Sequence, residues 1–195
     1  MQDRETNSYW SIMEGKSTAG QLRGRSLVEL PGTKKTRWMD WVRKHPETRV
    51  LSVGGREHAE DSYAGYWEDP KGFRGQAARD SRLGTKTPIF AFKRKGHGVA
   101  IAHERIEGGH AGDAPGGEFV FFFRPKRAPM FESTTAFVSR AGFVLDGNGW
   151  TELESGAVFD TQQGTFRGGD VEKLIGLDTF WYNWSLSNPT TKLMR

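Results

Sequence analysis

Between residues 56 and 86 the chain crowds Arg56, His58, Glu60, Asp61, Tyr63 and Tyr66 into "REHAEDSYAGYW", and "DSRLGTK" adds Asp80, Arg82 and Lys86. Such residues can hold an anionic or sugar-like ligand. Arg and Lys donate hydrogen bonds, Tyr and Trp67 offer ring faces, and Asp61 or Glu60 beside His58 can pass a proton. The same types also make a salt-bridged loop whose tyrosines pin it to a core. His58, Asp61, Tyr63, Tyr66, Arg82 and Lys86 are therefore the candidate ligand-binding set, and no residue is assigned a catalytic role.

Other chemistry is weaker. His97 and His103 share parity on neighbouring strands, with Glu104 or His110 as further ligands, but no His-x-His or His-Glu-x-x-His spacing exists. No metal and no cofactor is expected. Phosphate-loop, dinucleotide and nucleophile-elbow motifs are missing, and nothing in the spacing of Ser52 or Ser62 supports a triad with His58. With no cysteine, disulfides, iron–sulfur clusters and thiol nucleophiles are excluded. The formal charge is only +4, concentrated at Lys93, Arg94, Lys95 and at Arg124, Lys126, Arg127. These flank phenylalanines, the composition of a nucleic-acid face, but strand ends carry such clusters routinely, so nucleic-acid binding ranks last.

These groups need elements to position them. A chain of 195 residues with 25 glycines between short apolar runs reads as one domain of strands and turns. Thr36 is an acceptable N-cap, and Trp38, Trp41, Val42 and His45 then fall on one helical stripe that Pro46 ends. "TRVLSV" resumes as a strand and residues 54–85 are irregular. Hairpins are expected around Gly96-His97-Gly98 and Arg140-Ala141-Gly142. Residues 106–118 read as a flexible connection, and "FVFFF" (119–123) as a strand covered on both faces. A last helix spans about 179–187.

That helix repeats the first. Thr36, Trp38, Trp41, Pro46 and Thr48 fall on Thr179, Trp181, Trp184, Pro189 and Thr191, each 143 residues on, and Trp10 and Gly24 fall on Trp150 and Gly164, each 140 on. Residues 1–51 and 141–194 are thus expected to be two copies of a strand–turn–strand–helix unit flanking a central insert, 52–140. Trp10, Trp38, Trp41, His45, Trp150, Trp181 and Trp184 are the expected structural core. His45 matches Asn188, so a polar group closing each helix explains both. The fold class is α+β, mostly β, with an antiparallel sheet or barrel-like core.

The stretches "DRETNSYW", "GKSTAGQLRGRSLVELP", "TRWMDWVRKHPETRVLS", "EDSYAGYW", "DSRLGTKTPIFAF", "GGEFVFFF" and "FWYNWSLSNPTTKL" come in an order that resembles the prokaryotic domain of unknown function 3179 family over nearly the whole chain. The resemblance implies the fold and no reaction. It also implies a cysteine-containing segment ahead of Asp3 in relatives, and a location outside the cytoplasm, although this chain carries no such signal. A sheet that begins abruptly leaves an edge strand open, so a homo-oligomer or another protein chain is expected along residues 1–12. No apolar run approaches the roughly 18 residues of a membrane span, and the chain reads as a soluble domain. The leading function is a non-catalytic ligand- or protein-binding, or structural, module. The alternatives are a hydrolase or metal-assisted enzyme using residues 56–86, and then a nucleic-acid binder.

Overall fold

A computed structural model describes residues 1–12, 15–28, 35–52, 54, 63–130 and 132–195. The chain forms two compact units, Met1–Lys34 and Lys35–Arg195. Strand accounts for 35% and helix for 15%, so the fold is α+β and mostly β.

In the first unit, β1 (Tyr9–Ser11) pairs antiparallel with β2 (Lys16–Ala19), Trp10 opposite Ser17. The other side of β1 is taken as well. Gln2 bridges Tyr9, Trp10 N donates to Met1 O (2.7 Å), and Asp3 N donates to Ser8 O (2.9 Å). The edge expected to be open is therefore covered by residues 1–3, because Asp3 turns the chain back. Its carboxylate accepts from Thr6 Oγ1 (2.5 Å), Thr6 N (2.7 Å) and Trp10 Nε1 (3.1 Å). These bonds, led by the Thr6 hydroxyl, lower its pKa to about 2. Trp10 is only half-buried, not a core residue.

The second unit contains, in order, α1 (Trp38–Lys44), α2 (Ala64–Glu68), β3 (Pro88–Arg94), β4 (His97–Ala102), α3 (His103–Ile106), β5 (His110–Ala114), β6 (Glu118–Phe123) and β7 (Thr135–Ser139). It continues with β8 (Phe143–Asp146), β9 (Gly149–Glu152), β10 (Val158–Asp160), β11 (Thr165–Arg167), β12 (Glu172–Lys173), β13 (Leu177–Phe180), α4 (Trp181–Ser187) and β14 (Lys192–Leu193). They build sheets of order β13-β3-β4-β14, β12-β7-β6-β5 and β11-β10-β9-β8. Strand alternation decides how these stack. Phe90 and Phe92 of β3 and Val120 and Phe122 of β6 share one buried cluster between the first two sheets. Ile89 and Ala91, on the other face of β3, meet Trp181 and Trp184 of α4. Phe121, on the other face of β6, meets Phe159 and Phe166 of the third sheet, with Trp150 half-buried beside them. The "FVFFF" run is apolar throughout because both faces of β6 are covered.

Several expectations are corrected. The β3–β4 turn is Lys95-Gly96, both left-handed (φ 50° and 80°), and His97 already pairs with Arg94. β7 and β8 do not form a hairpin; the chain leaves one sheet for the next at Gly142. Residues 106–118, read as a flexible connection, include β5, held by the partner β6 supplies. The described residues 48–52 form no strand. The N-cap of α1 is Arg37 rather than Thr36, with no side-chain cap.

The largest correction concerns the repeated phrase. Trp181 and Trp184 are 0% and 2% exposed, whereas Trp38 and Trp41 are 52% and 38% exposed and His45 is half-buried. Connectivity explains this. α4 runs directly on from β13, so the chain lays it across β3 and β4, whereas the described residues just before α1, 35–37, belong to no strand.

Candidate functional site

The described part of the predicted 56–86 site is bound into the scaffold. Lys86 Nζ donates to the carbonyls of Tyr66 and Asp69 (2.8 Å for the second), closing the end of α2, and sits 4.1 Å from the Tyr66 ring. Tyr66 OH meets Tyr182 OH at 3.2 Å, and burial first, then that contact, raises its pKa above the ordinary phenol value. Tyr63 is exposed on the approach to α2. Arg82 grips Asp80 with Nε and Nη2, donates from Nη1 to Thr191 O (2.9 Å), and lies over the Trp181 ring. Lys86 and Arg82 thus serve different neighbourhoods. His58 and Asp61 lie outside the described residues.

A buried polar hub, unforeseen in the sequence, joins three strands and α3. Asp178 accepts from Thr134 Oγ1 (2.5 Å), Thr134 N (2.8 Å) and His103 Nε2 (2.8 Å), and Arg124 Nη1 lies 3.5 Å away. Arg124 is 1% exposed and donates to the carbonyls of Pro129 (2.7 Å) and Glu132. Burial pushes Asp178 up, but the hydrogen bonds from His103 and Thr134 bring it below its ordinary value. Burial lowers Arg124 against the opposing charge of Asp178. Every polar atom named here is spent inside the hub, which knits β6, β7, β13 and α3 together.

This hub also corrects the nucleic-acid reading. Arg124 is interior, and Arg94 is clamped by Glu118 (2.7 and 2.9 Å) and Glu172 (2.9 Å), tying β3 to β6 and β12. Neither is available to a phosphate backbone. Among the described residues no three His, Asp or Glu side chains converge as a metal shell. His97 follows a turn, His103 belongs to the hub and His110 lies on β5.

Two hollows remain. One, of about 350 Å³, is lined by Arg94, Lys95, Glu118, Arg140 and Glu152 among others. Its two buried acids are consumed, Glu118 by Arg94, and Glu152 by Ser139, Ser155 Oγ (2.6 Å) and the amides of Ser155 (2.7 Å) and Glu154 (3.1 Å), while Glu154 and Asp170 also line it. Burial raises Glu152, and these bonds reverse the direction.

The other, of about 530 Å³, opens where β4 and β14, a parallel pair, both end. Arg82, Arg105, Lys192 and Arg195 line it together with Leu83, Ala102, Leu193 and Met194. Met194 N donates to Ala100 O (2.9 Å), fixing this wall to β4, and the Met194 side chain joins the core. No aspartate or glutamate is among the lining residues. Asp80 neutralises Arg82 from outside the cleft, and its own pKa is lowered chiefly by the Arg82 hydrogen bonds. Among the described residues no aspartate or glutamate lies within ion-pair distance of Arg105, Lys192 or Arg195. Cations gathered without counter-charge around an apolar wall form a site for an anion. Sequence reasoning found Arg82 and missed Arg105, Lys192 and Arg195, because only the parallel pairing of β14 with β4 brings them together.

The family model described as "Protein of unknown function (DUF3179)" matches residues 1–191, and the chain belongs to that family. No curated protein and no solved structure matches it.

Proposed function

We propose that this member of the DUF3179 family is a non-catalytic binding module whose ligand is an anion held in the cleft of Arg82, Arg105, Lys192 and Arg195. One contrast carries the reading. Among the described residues the buried groups able to move protons, namely His103, Asp178, Glu118 and Glu152, already hold scaffold bonds, while Arg105, Lys192 and Arg195 in the cleft meet no aspartate or glutamate within ion-pair distance. Breaking a buried charge network to do chemistry would leave its remaining members unpaired. A cationic cleft needs no such sacrifice. Thermal shift with matched small anions and cations tests the proposal. Anions should raise the melting temperature, and Arg105→Gln with Lys192→Gln should remove the rise. An equal rise in the double variant would sink the site, and turnover of any substrate that Asp178→Asn abolishes would sink the non-catalytic reading.

A second reading, self-association, is favoured by the exposure of Trp38, Met39 and Trp41 on one short helix. Asp40 and Glu47 lie beside Arg43 and Lys44 in this stretch. Two copies related by a two-fold can set each acid against the other's base. It rests on α1 rather than on the N-terminal edge, where Gln2 bridges Tyr9. Sedimentation of the purified chain should then give a dimer that Trp38→Ser abolishes. A monomer at high concentration removes this reading.

A further inference from the structure

We infer that the ligand of the cationic cleft is an amphipathic anion: one ionised head, carboxylate or phosphate, on an unbranched apolar tail. This rests on the anion-binding reading and adds the tail. The rim and the floor have different chemistry. Arg105, Lys192 and Arg195 are exposed side chains at the rim, each free of a counter-ion among the described residues. Beneath them lie Leu83 and Leu193, half-buried, with Ala102 and Met194, which are buried. An inorganic anion would engage the rim and leave the apolar wall against water. About 530 Å³ is well beyond what such an ion fills and lies within the range of small-molecule sites.

The alternatives fit less well. A nucleic-acid strand needs a track of cations and stacking rings. Here Arg94 and Arg124 are consumed by Glu118, Glu172 and the hub, and the cleft is lined by no aromatic residue. A zwitterion or a cation would find no aspartate or glutamate among the lining residues to receive its positive end. Burying methylenes on Leu83, Leu193 and Met194 strengthens binding about two- to fourfold for each one covered, until the wall is used up.

Isothermal titration of the full chain with acetate, hexanoate, decanoate, inorganic phosphate, decyl phosphate and decyltrimethylammonium, each below its micelle concentration, tests the inference. Decanoate and decyl phosphate should bind at least 100-fold tighter than acetate and inorganic phosphate. The preferred member of that pair identifies the head. Arg105→Gln with Lys192→Gln, two exposed positions, should weaken both long anions at least tenfold, and decyltrimethylammonium should not bind. Equal affinity for acetate and decanoate, still lost in the double variant, would overturn the tail and leave the anion site standing. Equal binding of decanoate and decyltrimethylammonium would overturn the inference as non-specific adsorption. Binding by none of the anions would overturn the anion-binding reading itself.

Discussion

α1 and α4 are the same local object in two surroundings. Each has seven residues, and the residue after each helix, His45 or Asn188, has nearly the same backbone angles: φ −135°, ψ 67° and φ −134°, ψ 68°. In each, that residue's amide donates to the second Trp carbonyl, and the second Trp indole donates to a Thr hydroxyl seven residues on. The indole distance is 2.9 Å from Trp41 to Thr48 and 2.8 Å from Trp184 to Thr191. Sequence therefore specifies the helix, its end and its internal clamp twice over. Burial differs completely. The apolar stripe states which face wants cover, and the connection to β13 decides that only α4 obtains it from the sheets. α1 is tied down through Lys35, whose amide donates to Ser133 Oγ (2.8 Å) and whose Nζ donates to Asp178 O (3.3 Å).

The comparison should appear first in stability. Trp181→Ala removes a fully buried indole and its bond to Asp80 O (2.7 Å), and should cost about 3–5 kcal/mol in urea unfolding. Trp38→Ala should cost less than about 1 kcal/mol, because its ring already meets water. Equal losses would mean that α1 is core after all. The clamps should divide in the same way. Thr191→Val strands the Trp184 indole in the interior and should cost about 1–3 kcal/mol, whereas water can replace Thr48 in Thr48→Val at almost no cost.

Acid gives a gentler test, because the root of α4 is β13 and its Asp178. The folded state holds Asp178 below its ordinary pKa, so between the two values the unfolded chain binds more protons. Stability from this group is present above about pH 4, the unfolded carboxylate value, and is lost as pH falls through the folded one. Asp178→Asn should flatten the acid limb of the stability curve. An unchanged limb would assign acid sensitivity to other carboxylates.

What could be read from sequence follows the range of each interaction. The α4 stripe and the doubly covered β6 depend on neighbours along the chain, and periodicity exposes them. The Gly24 turn is legible in the same way: Gly24 and Gly164 are both left-handed, at φ 86° and 69°. β5 was hidden because its glycines and alanines have no strand pattern until β6 pairs with them. The hub was hidden for another reason: His103, Arg124, Thr134 and Asp178 are far apart in sequence and meet only when the sheets stack. Lys86 had the residue type of a site but bonds to carbonyls, and Arg82 lines the cleft while gripping Asp80; composition distinguishes neither contact from ligand binding.

Hydrogen exchange on the purified chain, diluted until monomeric, tests most directly that one motif is buried once and exposed once. The amides closing α4, through Asn188, should exchange close to the rate set by global unfolding, while those closing α1, through His45, should exchange orders of magnitude faster. Equal protection of the two helices would contradict the account.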